Sequence, residues 1–392
     1  MIDVDRIDAD LIDTDSAARL IATYDGFGLR RAGTSGDRLA AQWLLGHLQR
    51  AGVEAATRDI PMAVRNVQSA YLEGQDASGV GWRIDGLPLF DAPDTDGVLH
   101  GVLGTDIALI EMEPGAASIK GQPLEAQRRS STARAIIIAT RGAGGSLAPI
   151  NAQYYDAPFG PPILQVAGAA FAALSARAQR GDSARIIIST ESTPGASTNV
   201  EACGSLTLPD IVLTTPRTSW GESTAERVGG IVAWLAAFRY AAGARRQSRS
   251  LPTMRGFATC GHELGHIGLN DVFAQHHALL TQARLWLHLG ANLGCASDTR
   301  LTVRASDPQW ALAMRDDLVT EGYDSTAIVI EPIERAQGEG RDLLLQGARV
   351  LSLIGANAHF HAPSDRWPGN VDARAVAVIA RAVCRWSQRV EF

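Results

Sequence analysis

The chain has 392 residues, 46% hydrophobic and 20% charged, and at about 100–200 residues per domain this length predicts two or three globular domains. Its 42 acidic and 36 basic residues give a net charge of −6, and the basic residues are scattered singly, which excludes the basic stripe of a nucleic-acid-binding protein. No apolar run approaches the roughly 20 residues of a membrane span, so we expect no membrane partner. Residues 1–10 are acidic and unlike an export signal, which favours a cytoplasmic location.

The first predicted element is a helix that follows the N-cap residue Thr34 and carries apolar residues at helical spacing. Between residues 61 and 197 the pattern changes to short β-like runs separated by Gly, Pro, Asp and Ser. We therefore expect a larger domain of residues 1–60 and 198–392, interrupted by a β-rich domain of residues 61–197. Because binding sites favour domain interfaces, this insert is expected to lie over the site and to limit substrate size.

Strands and helices alternate in the last part of the chain. The expected strands are residues 211–214, 257–260, 285–289, 327–330 and 350–354. The helices between them carry apolar stripes on one side, as Trp310, Met314 and Leu318 do. This alternation predicts an α/β fold, a three-layer sandwich around a mixed, mostly parallel sheet.

Histidines cluster in the same part of the chain, where seven of the nine lie between His262 and His361. His262, His288 and His361 each fall at or just after the end of a predicted strand, and open α/β sheets bind ligands at the carboxyl ends of their strands. No G-x-S-x-G motif is present, and Cys260 lies in an apolar segment. The candidates are therefore carboxylates and imidazoles, which indicates metal or general acid–base chemistry.

Residues 262–266, His-Glu-Leu-Gly-His, match the H-E-x-x-H motif. In that motif two histidines one helical turn apart bind zinc, and the glutamate is the general base. Here the motif follows a strand directly and is surrounded by glycines, each of which disfavours a helix by about 1 kcal/mol. This zincin alternative assigns zinc to His262 and His266 and the base to Glu263.

The order of motifs over nearly the whole chain resembles the zinc aminopeptidase and glutaminyl cyclase family. The matching segments are the Gly-Asp-Arg-Leu helix start, the strand ending near Pro216, Glu226-Arg-Val-Gly-Gly-Ile, Gly-His262-Glu-Leu-Gly-His, the strand ending at His288, and Phe-His361-Ala-Pro-Ser-Asp365. The insert, with Pro161-Pro162-Ile-Leu-Gln-Val, resembles the protease-associated domain of larger members.

The resemblance implies one metal site, formed by Glu226, Glu263 and His361, with one zinc per chain as the expected ion and another divalent metal as the alternative. Pro216 and Thr218 replace the histidine and acid of the family's other zinc position, so that position is lost. Glutaminyl cyclases, which keep a single zinc, are the precedent within the family. Two carboxylates and an imidazole leave an open position for water or a carbonyl oxygen.

His262 and His288 are the expected catalytic residues. His262 stands where the family has its general base, and an imidazole that titrates near pH ~6.5 accepts a proton at neutral pH. His288 is either a further ligand or a donor to an oxyanion. The other candidates are two alternative ligands or ligand-orienting residues, His266 and His359, and two weaker candidates for binding a substrate carboxylate, Arg217 and Arg227.

These residues predict a metal-dependent, aminopeptidase-like hydrolase that acts on an amide or peptide bond of a small molecule or short peptide. Two alternatives stay open. One is a single-zinc cyclase or lyase-type enzyme on the same fold. The other is a non-catalytic binding protein on a decayed peptidase scaffold, which Pro216 and Thr218 favour. The sequence leaves the substrate and the oligomeric state open.

Overall fold

A computed structural model of the protein describes residues 12–76, 78–117, 123–203, 209–249 and 251–388. Its helices are α1 (Thr14–Asp25), α2 (Ser35–Arg50), α3 (Pro114–Ala117), α4 (Pro123–Ser130), α5 (Phe171–Arg180), α6 (Ala225–Arg246), α7 (Ile267–Gln275), α8 (His277–Gln282), α9 (Pro308–Thr320), α10 (Gly338–Leu345) and α11 (Ala373–Trp386). Its strands are β1 (Glu54–Gln75), β2 (Gly81–Asp85), β3 (Leu87–Pro88), β4 (Leu99–Val102), β5 (Ile107–Met112), β6 (Ala135–Thr140), β7 (Ile163–Ala167), β8 (Ser183–Cys203), β9 (Ile211–Pro216), β10 (Met254–Thr259), β11 (Leu285–Leu289), β12 (Leu301–Ala305), β13 (Ile328–Ile330) and β14 (Val350–Gly355).

The larger sheet has the strand order β13-β12-β14-β11-β9-β10-β8-β1-β2, with β4 paired to β8. Its centre, β14, β11, β9 and β10, is parallel, and its flanks are largely antiparallel. Apolar residues of α1, α2, α6, α9 and α11 pack on one face, and those of α7, α8 and α10 pack on the other. The predicted three-layer α/β sandwich is confirmed. No helix among the described residues is long and apolar enough to cross a bilayer.

Strands β1 and β8 are much longer than the sequence pattern predicted. They pair antiparallel from Glu54 opposite Cys203 to Gly74 opposite Ala184. Beyond them lies a four-stranded sheet in the order β3-β7-β6-β5. The expected domain boundaries fall inside the two long strands, close to the pair Pro61 and Ala196. The division at these positions, and the likeness of residues 61–197 to a protease-associated domain, therefore stay predictions.

Helix α6 lies unusually close to the sheet at its N-terminal end. A Cβ atom on Gly229 would come within 1.8 Å of the Leu293 carbonyl oxygen, and one on Gly230 within 2.5 Å of Thr215 Oγ1. Only glycine fits at such distances, because the contacted atoms belong to packed backbone and a buried side chain. The close approach carries the first turn of α6, with Glu226 and Arg227, to the carboxyl edge of the parallel strands.

A buried ion pair joins α2 to the end of β9. Arg217 Nη2 lies 2.6 Å from Asp37 Oδ1, and Arg217 Nη1 donates to the Asp37 carbonyl oxygen. Asp37 Oδ2 accepts from Ser197 Oγ at 2.6 Å. Both terminal nitrogens of Arg217 already donate to Asp37 or to the Thr198 carbonyl oxygen, so its binding of a substrate carboxylate stays a prediction without support from these contacts. Its role is to fasten the N-terminal helices to the sheet.

We predict that Asp37→Ala lowers the free energy of unfolding by ~3–5 kcal/mol, because it leaves the buried Arg217 charge without a partner. Urea unfolding followed by circular dichroism measures the change. The neighbouring exposed residue provides a matched control: Arg38→Ala should change stability by less than ~0.5 kcal/mol. Equal stability of the two variants would contradict the structural role of the ion pair.

Candidate functional site

The candidate site lies where β9, β10 and β11 end at the carboxyl edge of the sheet. Thr218 follows β9, His262 and Glu263 follow β10, and His288 belongs to β11. Glu226 reaches the same edge from the first turn of α6, where a carboxylate is favoured by the helix dipole. Thr218, Glu226, Glu263 and His288 are almost completely buried, and His262 is partly exposed. The structure thus brings to one edge most of the residues singled out from the sequence.

Glu226 forms an ion pair with the next residue along the chain. Its Oε1 lies 2.7 Å from Arg227 Nη2 and 3.1 Å from His361 Nε2, whereas its buried Oε2 has no partner among the described residues. Burial by itself would raise the pKa of Glu226, but the charge of Arg227 and the contact with His361 outweigh it and hold the pKa at about 2. Glu226 is therefore ionised at neutral pH.

Glu263, the second carboxylate, is held by other groups. Thr218 Oγ1 donates to its Oε2 at 2.9 Å, and the Ala32 amide donates to its Oε1 at 3.2 Å. The Thr218 carbonyl oxygen accepts from Arg227 Nε, so one residue contacts both the glutamate and the arginine. Burial raises the pKa of Glu263, and the charge of Arg227 opposes this shift.

The expected metal ligands are only partly assembled. Glu226 and His361 are in contact, but no hydrogen bond joins Glu263 to either of them. In the described ranges no group of three or more His, Cys, Asp or Glu side chains is arranged to hold a metal ion. The Arg227 guanidinium also lies against Glu226 Oε1, so a cation bound at either oxygen of this carboxylate would sit beside a positive charge, and like charges repel strongly away from water. The residues as arranged do not fit a zinc ion.

His262 is backed by a buried carboxylate that sequence analysis did not select. Its Nδ1 lies 3.4 Å from Glu339 Oε1, and the same oxygen accepts from Thr259 Oγ1 at 2.7 Å. The His262 side chain keeps 12% of its surface exposed, more than the other candidate side chains described above. Burial, His266 and Arg227 all hold the pKa of His262 well below that of a free imidazole. It is therefore a neutral imidazole at neutral pH.

The H-E-x-x-H segment is not an α-helix. Residues His262–Leu264 form a single turn of 3₁₀-helix, and Gly261, Gly265 and His266 have left-handed backbone with φ of 61°, 73° and 58°. His266 stacks on His262 with 4.3 Å between ring centroids, and its Nδ1 lies 2.6 Å from Asp342 Oδ2. The zincin alternative requires both histidines one turn apart on one helix, so this geometry does not match it.

His288 is enclosed by packing. Its Nδ1 lies 2.8 Å from Ser352 Oγ, its Nε2 is buried without a partner among the described residues, and burial lowers its pKa to about 4. A Cβ on Gly340 would come within 2.7 Å of His288 Nδ1, so glycine allows α10 to lie against the ring.

His359 lies close to His361 in the loop between β14 and α11. It is half-buried, and its Nδ1 has no partner in the described part of the chain.

Residues 149–152 of the expected insert cover the site. The Pro149 carbonyl oxygen contacts His361 Nδ1, the Ala152 amide donates to the Glu263 carbonyl at 2.8 Å, and Asn151 accepts from Trp220 Nε1 at 2.9 Å. No motif in the sequence marks this segment, because it contributes backbone groups and an amide rather than charged side chains.

No family model matches the chain, and no curated protein matches it by sequence. Solved structures do match along almost the whole chain. BSAP, a zinc aminopeptidase from Bacillus subtilis, has a TM-score of 0.72 at 17% identity and covers 97% of this chain and 96% of its own. An aminopeptidase from Aneurinibacillus sp. strain AM-1 has a TM-score of 0.69 at 15% identity, with 98% and 96% covered.

A glutaminyl cyclase from Porphyromonas gingivalis also matches, with a TM-score of 0.52 at 11% identity over 96% of this chain and 98% of its own. Identities this low establish a shared fold and leave the activity to be argued from the site. The resemblance predicted from the sequence is therefore confirmed at that level: the chain has the fold of the zinc aminopeptidases, which the glutaminyl cyclase shares.

Proposed function

We propose that the protein hydrolyses an amide or peptide bond in a small molecule or short peptide, with aminopeptidase-like action. The observation that carries this proposal is the pairing of a neutral imidazole, His262, with the Glu339 carboxylate at the same strand edge as the Arg227 guanidinium. An imidazole backed by a carboxylate is a common general base, and a fixed cation stabilises developing negative charge. The fold match with zinc aminopeptidases supports the choice of substrate class.

In this proposal Glu339 orients the His262 ring through Nδ1, which leaves Nε2 to take a proton from the attacking water. Thr259 Oγ1 donates to Glu339 Oε1 at 2.7 Å, and Thr214 Oγ1 donates to Glu339 Oε2 at 3.5 Å, so both oxygens of this carboxylate are fixed in position. The role of Arg227 is to attract the carbonyl oxygen of the bond to be cleaved. Neither of its terminal nitrogens has a hydrogen-bond acceptor among the described residues, and because Nη2 lies against Glu226 as an ion pair, Nη1 is the donor left for that oxygen.

A one-zinc form of the same hydrolysis was expected from the sequence, with Glu226, Glu263 and His361 as ligands. It requires Glu263 to leave Thr218 and the Ala32 amide and to join the other two ligands. The contacts described above favour the form of the reaction in which Arg227, rather than a zinc ion, attracts the carbonyl oxygen.

A binding protein without catalysis is the second candidate function. Arg227 neutralises Glu226, and Thr218 occupies an oxygen of Glu263, so both carboxylates already have partners within the chain. If no water molecule reaches His262, a site of this kind binds a ligand but does not hydrolyse it. The cyclase alternative shares the fold and differs in its product.

We predict that the purified protein releases amine from at least one class among aminoacyl amides, dipeptides and peptides with N-terminal glutamine. Mass spectrometry of the products separates the candidates: hydrolysis adds water, whereas cyclisation of glutamine releases ammonia. Turnover of no substrate, together with saturable binding of one of them, would favour the binding protein.

We predict that His262→Ala lowers turnover by ~10²–10⁴, because general-base catalysis typically contributes that much. The exposed His277 provides the control, since His277→Ala removes an imidazole outside the site and should leave turnover within ~2-fold. Glu339→Gln should lower kcat more than it raises KM, because it disturbs the orientation of His262 rather than substrate binding. Full activity of His262→Ala would remove His262 from the mechanism.

A further inference from the structure

We infer that the guanidinium of Arg227 takes the place of the metal ion, so that the protein supplies its own cation at the strand edge and binds no divalent metal there. Replacing this arginine by a neutral residue is expected to create a divalent-cation site. The inference does not depend on the proposed reaction, since it concerns which positive charge compensates the buried carboxylates.

The position of Arg227 is the first argument. Its side chain is completely buried, its Nη2 lies 2.7 Å from Glu226 Oε1, and its Nε donates to the Thr218 carbonyl oxygen. His361 Nε2 lies 3.1 Å from the same Glu226 oxygen, so the arginine and the histidine converge on one carboxylate oxygen. A metal held by Glu226 and His361 would have to share this space with a positive charge.

The electrostatic reach of the arginine is the second argument. Its charge acts on Glu226 and on Glu263, the two carboxylates that the resemblance assigns to the metal, and also on His262 and His288. Burying ionised carboxylates requires a nearby opposite charge. Because Arg227 already meets that requirement, a divalent ion would add repulsion to a site that is compensated without it.

The surrounding substitutions are the third argument. Thr218 donates to Glu263 Oε2, so a neutral hydroxyl group satisfies the oxygen that a ligand carboxylate would offer to a metal. Pro216, at the end of β9, has no side-chain donor atom for a metal. These replacements, Pro216 and Thr218 at the end of β9 and Arg227 at the start of α6, thus act in the same direction, each filling or removing a metal-binding function.

The wild-type protein provides the direct test. After incubation with excess zinc and removal of unbound ions, we expect less than ~0.1 zinc per chain by atomic emission, because no three-ligand site is available. The melting temperature should be the same with zinc and with a chelator. Uptake near ~1 zinc per chain that disappears in Glu226→Gln would overturn the inference, since structural and catalytic zinc sites are stoichiometric.

Variants at position 227 test the role of the arginine itself. Arg227→Asn should take up ~1 zinc per chain and gain thermal stability with zinc, because the ion then supplies the positive charge that Glu226 and His361 lack, and Glu263 exchanges its contact with Thr218 for the ion. Arg227→Lys keeps the charge and should stay metal-free. Arg128→Asn breaks another buried ion pair, the one with Asp91 at 2.9 Å, and as a matched control should bind no zinc.

A folded Arg227→Asn protein without zinc uptake would overturn the substitution of metal by arginine, and uptake by Arg227→Lys would do the same. If Arg227→Asn fails to fold without metal, refolding in the presence of zinc that restores the wild-type circular dichroism supports the inference. Failure to refold with zinc, combined with stoichiometric zinc in the wild-type protein, overturns it.

Discussion

The buried charge of Glu226 is the constraint around which this site is built. A carboxylate with 1% of its surface exposed stays ionised only if a positive charge lies against it, and Arg227 provides that charge from the adjacent position of the same helix turn. The remaining features of the site accommodate this pair. Glycines at the start of α6 let the helix approach the sheet, and Thr218 accepts from the arginine through its carbonyl oxygen while its hydroxyl donates to Glu263.

The fold and the chemistry of the site are separable in this chain. The match with a zinc aminopeptidase extends over 97% of the chain at a TM-score of 0.72 and 17% identity, so the fold is kept although most side chains differ. A scaffold tolerates such changes because its stability comes from apolar packing on both faces of the sheet, and from ion pairs such as Asp37 with Arg217 that lie away from the reacting groups.

Local pattern was sufficient to predict the α/β part of the chain. The strands of the sheet centre are short, largely apolar and almost fully buried, and the helix after Thr34 has an N-cap and apolar residues at helical spacing, so their positions follow from local pattern. The length of β1 and β8 could not be predicted in this way. These strands contain many polar, half-exposed residues and are stabilised by pairing with each other across more than a hundred positions of sequence.

The site was predictable in outline for a similar reason. Strand ends meet at one edge of a parallel sheet, so His262, Glu263 and His288 could be grouped before any coordinates were known. The direction of Arg227 could not be foreseen, because an arginine at a helix start usually extends into solvent, and here the close approach of α6 buries it. The pairing of Glu339 with His262 could not be predicted, because the two residues lie 77 positions apart in sequence.

The two long strands have a mechanical consequence for access to the site. A ribbon hydrogen-bonded along its whole length resists rotation of one end against the other, and β1 with β8 is such a ribbon, with a single irregularity between Val67 and Ser69. The segment at residues 149–152 lies in the part of the chain between these two strands, and it contacts the site through the Pro149 carbonyl oxygen and the Ala152 amide. The stiffness of the ribbon therefore limits how far this segment can move from the strand edge, so that part of the wall around the site is rigid backbone rather than side chains.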